Sequence, residues 1–474
     1  MFVGRKTEVA ILKDAYQADG SQFIAVYGRR RIGKTYMIRE TFDYHFFFTH
    51  TGLAGGSAKR QIEAFCLSLK EQGYPIQEKV TDWMNAFSCL KTKIMASDEK
   101  KKVIFLDELS WMAGKRSTDF LSALESFWNG WASGRKDILL IVSSSATSWL
   151  LDHVIHNKGG LYHRLNHSIH LSGFSLKECK EYSDRLDFGF TKQQILELYM
   201  AFGGIPYYWS LLRRGDSVSQ NIDRLCFARN GELHQEFQYL YASMFNRPEE
   251  YVSIITSLAQ KRKGLTRKEI ITYSKIKDTG SLSKKLEELE ECGFIREYLP
   301  FGKKKKESIF QLIDNFTLFH FQMMLPKKDD EHFYQNNLQS GNCNAYLGLS
   351  FEMVCLEHIR QIKQALGISG VLSKEYSWFC LPDKDKGIQG HQIDLLIDRA
   401  DGVINMCEMK YTLTEYAITL NEEENYRKRI ADFISVTKER RPIIYTMITP
   451  YGILKNSHSG IVSKSLTLDD LMSV

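Results

Sequence analysis

No apolar run in this 474-residue sequence approaches the ~18 residues that a membrane span requires. The first residues, Met1-Phe2-Val3-Gly4-Arg5, also lack the charged head and apolar stretch of a secretory leader. A cytoplasmic protein without a membrane partner is therefore expected. Nine cysteines are scattered singly with no C-x-x-C pair, which argues against a zinc knuckle or a disulfide framework and leaves them as small buried apolar residues. A large charge excess is missing too, since the formal net charge is only +6. Its distribution is uneven: residues 261–306 carry fourteen Lys/Arg against seven acids, a local +7 that exceeds the excess of the whole chain. Such a segment suits a nucleic-acid-facing surface or simply a well-solvated one.

What is present begins with Gly28-Arg29-Arg30-Arg31-Ile32-Gly33-Lys34-Thr35, which fits G-x-x-x-x-G-K-[ST] and follows the apolar run Phe23–Tyr27. Strand, tight loop and helix in that order form a phosphate cradle. The glycines let successive N–H groups face a phosphate, Lys34 adds a point charge, and the Thr35 hydroxyl is a magnesium ligand. Gly28, Arg31, Ile32, Gly33, Lys34, Thr35 and Tyr36 are thus candidate nucleotide-binding residues. Downstream, Val103-Ile104-Phe105-Leu106 predicts a buried parallel strand ending in Asp107 and Glu108. Asp107 would orient magnesium and Glu108 would polarise the attacking water, although two acids at that place could also cap the next helix. ATP and magnesium are the implied cofactors. The strand Ile138–Val142 ends in Ser143-Ser144-Ser145, beside the other two strand tips. Ser143 or Ser144, with Ser144 preferred, is the candidate for sensing the γ-phosphate, and a helix cap would read the same way.

Further strands are expected at Tyr44–Phe48 and Ser168–Leu171, so residues 1–240 read as an α/β P-loop NTPase with a parallel sheet and a helical lid. These residues resemble the prokaryotic AAA-type ATPases related to the STAND NTPases. Phe2-Val3-Gly4-Arg5 looks like that family's adenine-side motif, Leu161-Tyr162-His163-Arg164 like its arginine-bearing segment and Gly203-Gly204-Ile205-Pro206-Tyr207 like its glycine-proline lid motif. The resemblance implies that Phe2, Val3, Gly4, Arg5, Arg164 and Pro206 approach the nucleotide. An arginine of that kind comes from a neighbouring subunit or from within the chain, so a homo-oligomer is among the implied states.

Residues 245–325 read as a winged helix: helical periods at 251–258, 265–271 and 281–289, then a hairpin of Phe294–Leu299 and Ser308–Ile313. Its tip, Gly302 followed by Lys303, Lys304, Lys305 and Lys306, would meet DNA phosphates together with Lys284. Glu287, Glu288, Glu290 and Glu291 on the third helix favour backbone contact by the tip over base readout.

Residues 335–474 hold a second chemical pattern. A strand carrying Gln392 and Asp394 is followed, with thirteen residues intervening after Asp394, by Glu408-Met409-Lys410, and strand alternation puts Glu408 and Lys410 on one face. Two carboxylates and an ammonium in that relation form a magnesium site for phosphodiester cleavage. The arrangement resembles the PD-(D/E)XK nuclease-like fold, an α/β domain, and the resemblance implies that Glu352 on a preceding helix joins Asp394, Glu408 and Lys410. The expected whole is an ATPase coupled to a magnesium-dependent DNA endonuclease. The competing expectation is a STAND-like nucleotide switch or DNA-binding regulator with a non-catalytic C-terminal domain.

Overall fold

Three largely apolar strands form the centre of the N-terminal half in the computed structural model, which describes residues 3–76, 79–114, 118–156, 160–161, 163–245, 247–261, 263–326, 330–383, 385, 388 and 390–473. Compactness divides the chain into two units: residues 1–173 with 242–246, and residues 174–241 with 247–474. The helices from 176 to 241, read from sequence as the end of the ATPase region, therefore pack with the C-terminal half.

In the first unit β1 (Gln22–Tyr27), β2 (Phe48–Thr51), β3 (Lys102–Asp107), β4 (Ile138–Ser144) and β5 (His167–His170) form a parallel sheet in the order β2-β3-β4-β1-β5. Every residue of β3 and β4 is buried, as expected of central strands covered by helices on both faces. The expected strand at Tyr44–Phe48 is corrected. Asp43 and Tyr44 adopt φ 50° and 61°, a turn, and pairing with β3 starts only at Phe48 opposite Ile104. Tyr44 and the apolar run Phe46-Phe47-Phe48 give a strand signal that begins four residues too early. Among the described residues no helix is long and apolar enough to cross a membrane.

The second unit contains two further sheets. β6 (Leu265–Thr266), β7 (Ile295–Tyr298) and β8 (Ile309–Leu312) form an antiparallel sheet in the order β6-β8-β7, accompanied by the helices Pro248–Ala259, Arg267–Ser274 and Gly280–Glu291. Leu282, Leu286 and Leu289 are buried along one face of the third helix, as its period demands. β9 (Ser373–Cys380), β10 (His391–Arg399), β11 (Ile404–Met409), β12 (Ile443–Ile448) and β13 (Lys464–Leu466) form a mixed sheet in the order β13-β12-β11-β10-β9. β9, β10 and β11 run antiparallel, and β11, β12 and β13 parallel. The helix Leu420–Thr437 supplies the crossover that the parallel β11–β12 pair needs. Its Tyr426 and Phe433 pack on Leu396, Met406, Tyr445 and Met447.

One buried histidine ties this unit together. Leu176 N–H donates to His358 Nε2 at 3.2 Å, and His358 Nδ1 lies 2.7 Å from the Val354 carbonyl. A carbonyl on one nitrogen and a backbone N–H on the other require the neutral Nδ1–H tautomer. Burial accordingly pushes the His358 pKa down to about 4. The unfolded chain binds a proton below pH ~6.5 that the folded unit refuses, so stability falls as pH drops through that window. Urea denaturation should show His358→Gln losing about 2 kcal/mol less than the natural chain between pH 7 and pH 5. Equal losses in both proteins would disprove this role.

Candidate active sites

The P-loop joins β1 to the helix Lys34–Thr41, and its backbone leaves no choice of residue at its ends. Gly28 has φ 143°, and a Cβ there would lie 2.3 Å from the Leu171 carbonyl oxygen; Gly33 has φ 91°. Arg31, at φ 70°, completes the reversal. Lys34 Nζ turns back over the loop, 2.8 Å from Gly28 O and 3.1 Å from Arg29 O. An ammonium held there by carbonyls, at a helix N-terminus, is placed to meet phosphate oxygens. Ile32 is buried and Tyr36 is exposed at the next turn.

Asp107 is the hub. Its carboxylate accepts from Thr35 Oγ1 at 2.8 Å, from Ser143 Oγ, and from the Glu108 backbone N–H at 3.1 Å. Thr35 and Asp107 are thus side by side, a hydroxyl and a carboxylate that fit the oxygen shell of a hydrated magnesium ion. Glu108 stands at φ 52° and its side chain does not cap the helix Leu109–Ala113 that follows. Instead Glu108 Oε2 accepts from Ser145 N–H at 3.0 Å and Ser145 Oγ at 2.8 Å. The serine expectation changes accordingly. Ser144 donates to Ser110 at 2.9 Å, while its neighbours Ser143 and Ser145 meet the two acids. Alternation along β4 sends Ser143 and Ser144 to opposite faces, with Ser143 on the side of Asp107.

The remaining sequence candidates of the first unit are placed as follows. Val3 and Arg5 are buried, Gly4 and Arg5 both have positive φ, and Arg5 Nη2 donates to the Ser172 carbonyl at 2.5 Å. Arg164 is exposed. Phe2 and Tyr162 lie outside the described residues. Pro206 opens the helix Pro206–Ser210 in the second unit.

In the second unit the acids of the C-terminal sheet converge. β10 and β11 pair Leu395 with Cys407, which makes Asp394 and Glu408 the next cross-strand neighbours. The β9–β10 register shifts between Ile393 and Leu396, so Asp394 sits in a bulge that re-aims its side chain. Gln392 Nε2 donates to Asp394 Oδ1, Lys410 Nζ lies 3.1 Å from Glu408 Oε1, and Arg429 Nη1 pairs with Glu408 Oε2. Burial raises the Asp394 pKa, and the nearby Glu408 charge pushes the same way against Gln392, Arg429 and Arg296. Burial works against the Lys410 charge, but Glu408 more than offsets it and the ammonium is held protonated.

Glu352 stands on a helix rather than on the sheet that carries these residues. It lies on the helix Gly341–Glu357, beside Cys355, whose other close neighbour is Cys407. Cys407 and Glu408 point to opposite faces of β11. Among the described residues no three His, Cys, Asp or Glu side chains are grouped to hold a metal ion. Two carboxylates alone still fit magnesium, which keeps several waters and takes only one or two from a protein. Sequence reasoning missed Ser145 and Arg429. Arg429 was detectable, since it shares the helix stripe of Tyr426 and Phe433 at spacings of three and four.

On the basic segment, Lys284 and Lys303–Lys306 are exposed, with Lys303 Nζ 3.4 Å from Glu307. Lys285 is buried against Glu250 at 2.9 Å. Glu288 is bonded by Tyr251, and Glu290 accepts the Glu297 N–H at 2.8 Å.

Comparison with known proteins follows this geometry. Residues 2–212 match a model of an ATPase domain found predominantly in Archaea. An uncharacterized protein of Methanocaldococcus jannaschii is 25% identical over 402 residues, 84% of each chain. The structure of a Walker-type ATPase of Pyrococcus abyssi is similar at 17% identity with a TM-score of 0.51, covering 68% of this chain and 96% of that one. That of the Aeropyrum pernix ORC2 protein, in ADPNP and ADP complexes, is similar at 14% identity with a TM-score of 0.41, covering 68% and 94%. Together, the family match and the parallel sheet with its P-loop make the N-terminal region an ATP-binding, ATP-hydrolysing P-loop ATPase domain.

Glu108→Gln should retain ATP binding and lower turnover by about 10²–10⁴-fold, the usual worth of a positioned base. Ser145→Ala, which only frees Glu108, should cost about tenfold. Single-turnover hydrolysis beside nucleotide-binding titration checks both. Equal losses would show that Ser145 does more than hold Glu108.

Proposed function

We propose that the chain is an ATP-gated, magnesium-dependent DNA endonuclease, with an ATPase, a winged-helix module at 245–325 and a PD-(D/E)XK nuclease-like domain at 335–474. The observation that carries it is the convergence of Asp394, Glu408 and Lys410 on one sheet, with the ammonium 3.1 Å from Glu408. Hydrolysis adds water across a phosphodiester P–O bond, leaving a phosphate on one end and a hydroxyl on the other. Magnesium bound by Asp394 and Glu408 would supply Lewis acidity toward the phosphoryl oxygens. The Lys410 ammonium, 3.1 Å from Glu408, would offset the negative charge that builds on those oxygens. Arg429 holds Glu408 and Gln392 holds Asp394 in register. Tyr445 Oη and Arg429 Nε, both buried near Glu408, make no hydrogen bond among the described residues and suit a site that takes further polar atoms. Thr35 and Asp107 would hold the magnesium of ATP.

Among the described residues no third carboxylate is grouped with Asp394 and Glu408 to hold a metal, which favours a second reading. In it the chain is a nucleotide switch or DNA-binding regulator whose C-terminal domain binds without cutting.

Supercoiled plasmid incubated with magnesium or manganese, with and without ATP, separates the two. Cleavage should require ATP, and Lys410→Ala or Asp394→Asn should reduce it about 10²–10³-fold, the cost of losing one preorganised electrostatic group. Cleavage undiminished in these variants, or none at all in protein that hydrolyses ATP, would refute the nuclease and favour the switch.

A further inference from the structure

The loop that follows β7 is built into the C-terminal sheet. Phe301 N–H donates to the Ser377 carbonyl at 2.7 Å, and Pro300 forms a parallel bridge with Ser377 on β9, the sheet's outer strand. The Phe301 ring lies 5.5 Å from Phe433 and 5.5 Å from Tyr376, against the core of that domain. Ser377 is the residue facing the β10 bulge, because Trp378 pairs with Ile393 and Tyr376 with Leu396. Phe301, Ser377, Asp394 and Glu408 are therefore successive neighbours across four strand positions. At ~4.8 Å per strand the anchor lies about 10 Å from Asp394.

The four exposed lysines begin two residues after that anchor, past Gly302 at φ 78°. Arg296 of β7 adds a fifth cation on the same hairpin. It bonds Gln311 Oε1 at 2.9 and 2.7 Å, stacks at 4.6 Å on the Tyr298 ring, and its charge reaches Asp394. A DNA strand carries a charge every ~3.4 Å along the axis, so 10 Å corresponds to about three nucleotides.

We infer that this hairpin is the substrate-positioning arm of the carboxylate site: Lys303–Lys306, which follow the Phe301 anchor, grip the DNA backbone at least about three nucleotides from the bond at Asp394 and Glu408, and Phe301 keeps that spacing. The inference rests on the nuclease reading for its cutting step and on charge and register for its binding step. Grip and distance are separable. Lysines set how tightly DNA is held, whereas the anchor sets whether held DNA reaches the acids.

Replacing Lys303–Lys306 by Gln should weaken binding of a short duplex more than tenfold at physiological salt. It should also reduce the log–log salt slope by about 3 to 4, at ~0.9 per phosphate contact. Phe301→Ser should leave duplex affinity within about twofold but cut the rate at saturating DNA at least tenfold, with Phe301→Leu restoring it. ATP hydrolysis and thermal unfolding of each variant report folding. Photoreactive duplexes give a reading independent of cleavage or of the variant's folding. In the natural chain, groups at least about three nucleotides apart should crosslink to peptides 302–308 and 391–410. An unchanged salt slope, an unchanged saturated rate in Phe301→Ser, or crosslinks to the loop without any to 391–410 would each overturn the arm. Crosslinks to both peptides without scission would instead retain the arm and refute the nuclease.

Discussion

The carboxylate of Asp107, buried at the end of the central strand β3, is the constraint on which the nucleotide site depends. A buried anion is costly unless each oxygen finds donors. Those donors come from three separate pieces of chain: Thr35 after the P-loop, Ser143 at the tip of β4, and the backbone at Glu108. The strand order β3-β4-β1 brings them together, because β4 lies between the strand that leads into the P-loop and the strand that carries the acids. Satisfying one anion thereby fixes the P-loop helix, the tip of β4 and Glu108 to one edge. Glu108 is then held by Ser145, just past the end of the same strand.

The C-terminal acids are held by different means. Neutral donors satisfy Asp107, whereas Glu408 is engaged by two cations, Lys410 and Arg429, and Asp394 feels Arg429 and Arg296. Three positive groups face two negative ones in a half-buried setting. Charge of that kind attracts an anion as readily as it supports a metal, and a phosphodiester with magnesium brings both. Paired buried charges are poor contributors to stability but strong determinants of local arrangement, so the pairing is better explained by what the site binds than by folding.

Local pattern made much of this legible from sequence, and tertiary register hid the rest. The P-loop, the two acids after β3 and the Glu408–Lys410 pair are defined within a few residues of chain, where dihedral and alternation rules act directly. Ser145 rather than Ser144 on Glu108 depends on the parity of β4 relative to β3, which no local rule supplies. The bulge at Asp394 and the side of the sheet taken by Glu352 depend on which strand and helix pack where. β2 was displaced because three phenylalanines in a row carry no boundary, whereas the positive φ values at Asp43 and Tyr44 do.

The docked hairpin could be explained by edge protection alone, since β9 is an outer strand and unpaired edges invite aggregation. That explanation accounts for the bridge at Pro300 and the bond from Phe301. It does not account for the place chosen, the single residue of β9 that faces the Asp394 bulge. Nor does it require four lysines directly after the covering residues when one lysine suffices to blunt an edge. A contact that both closes an edge and anchors a lysine-rich loop two strand spacings from Asp394 is better understood as part of the site than as packing beside it.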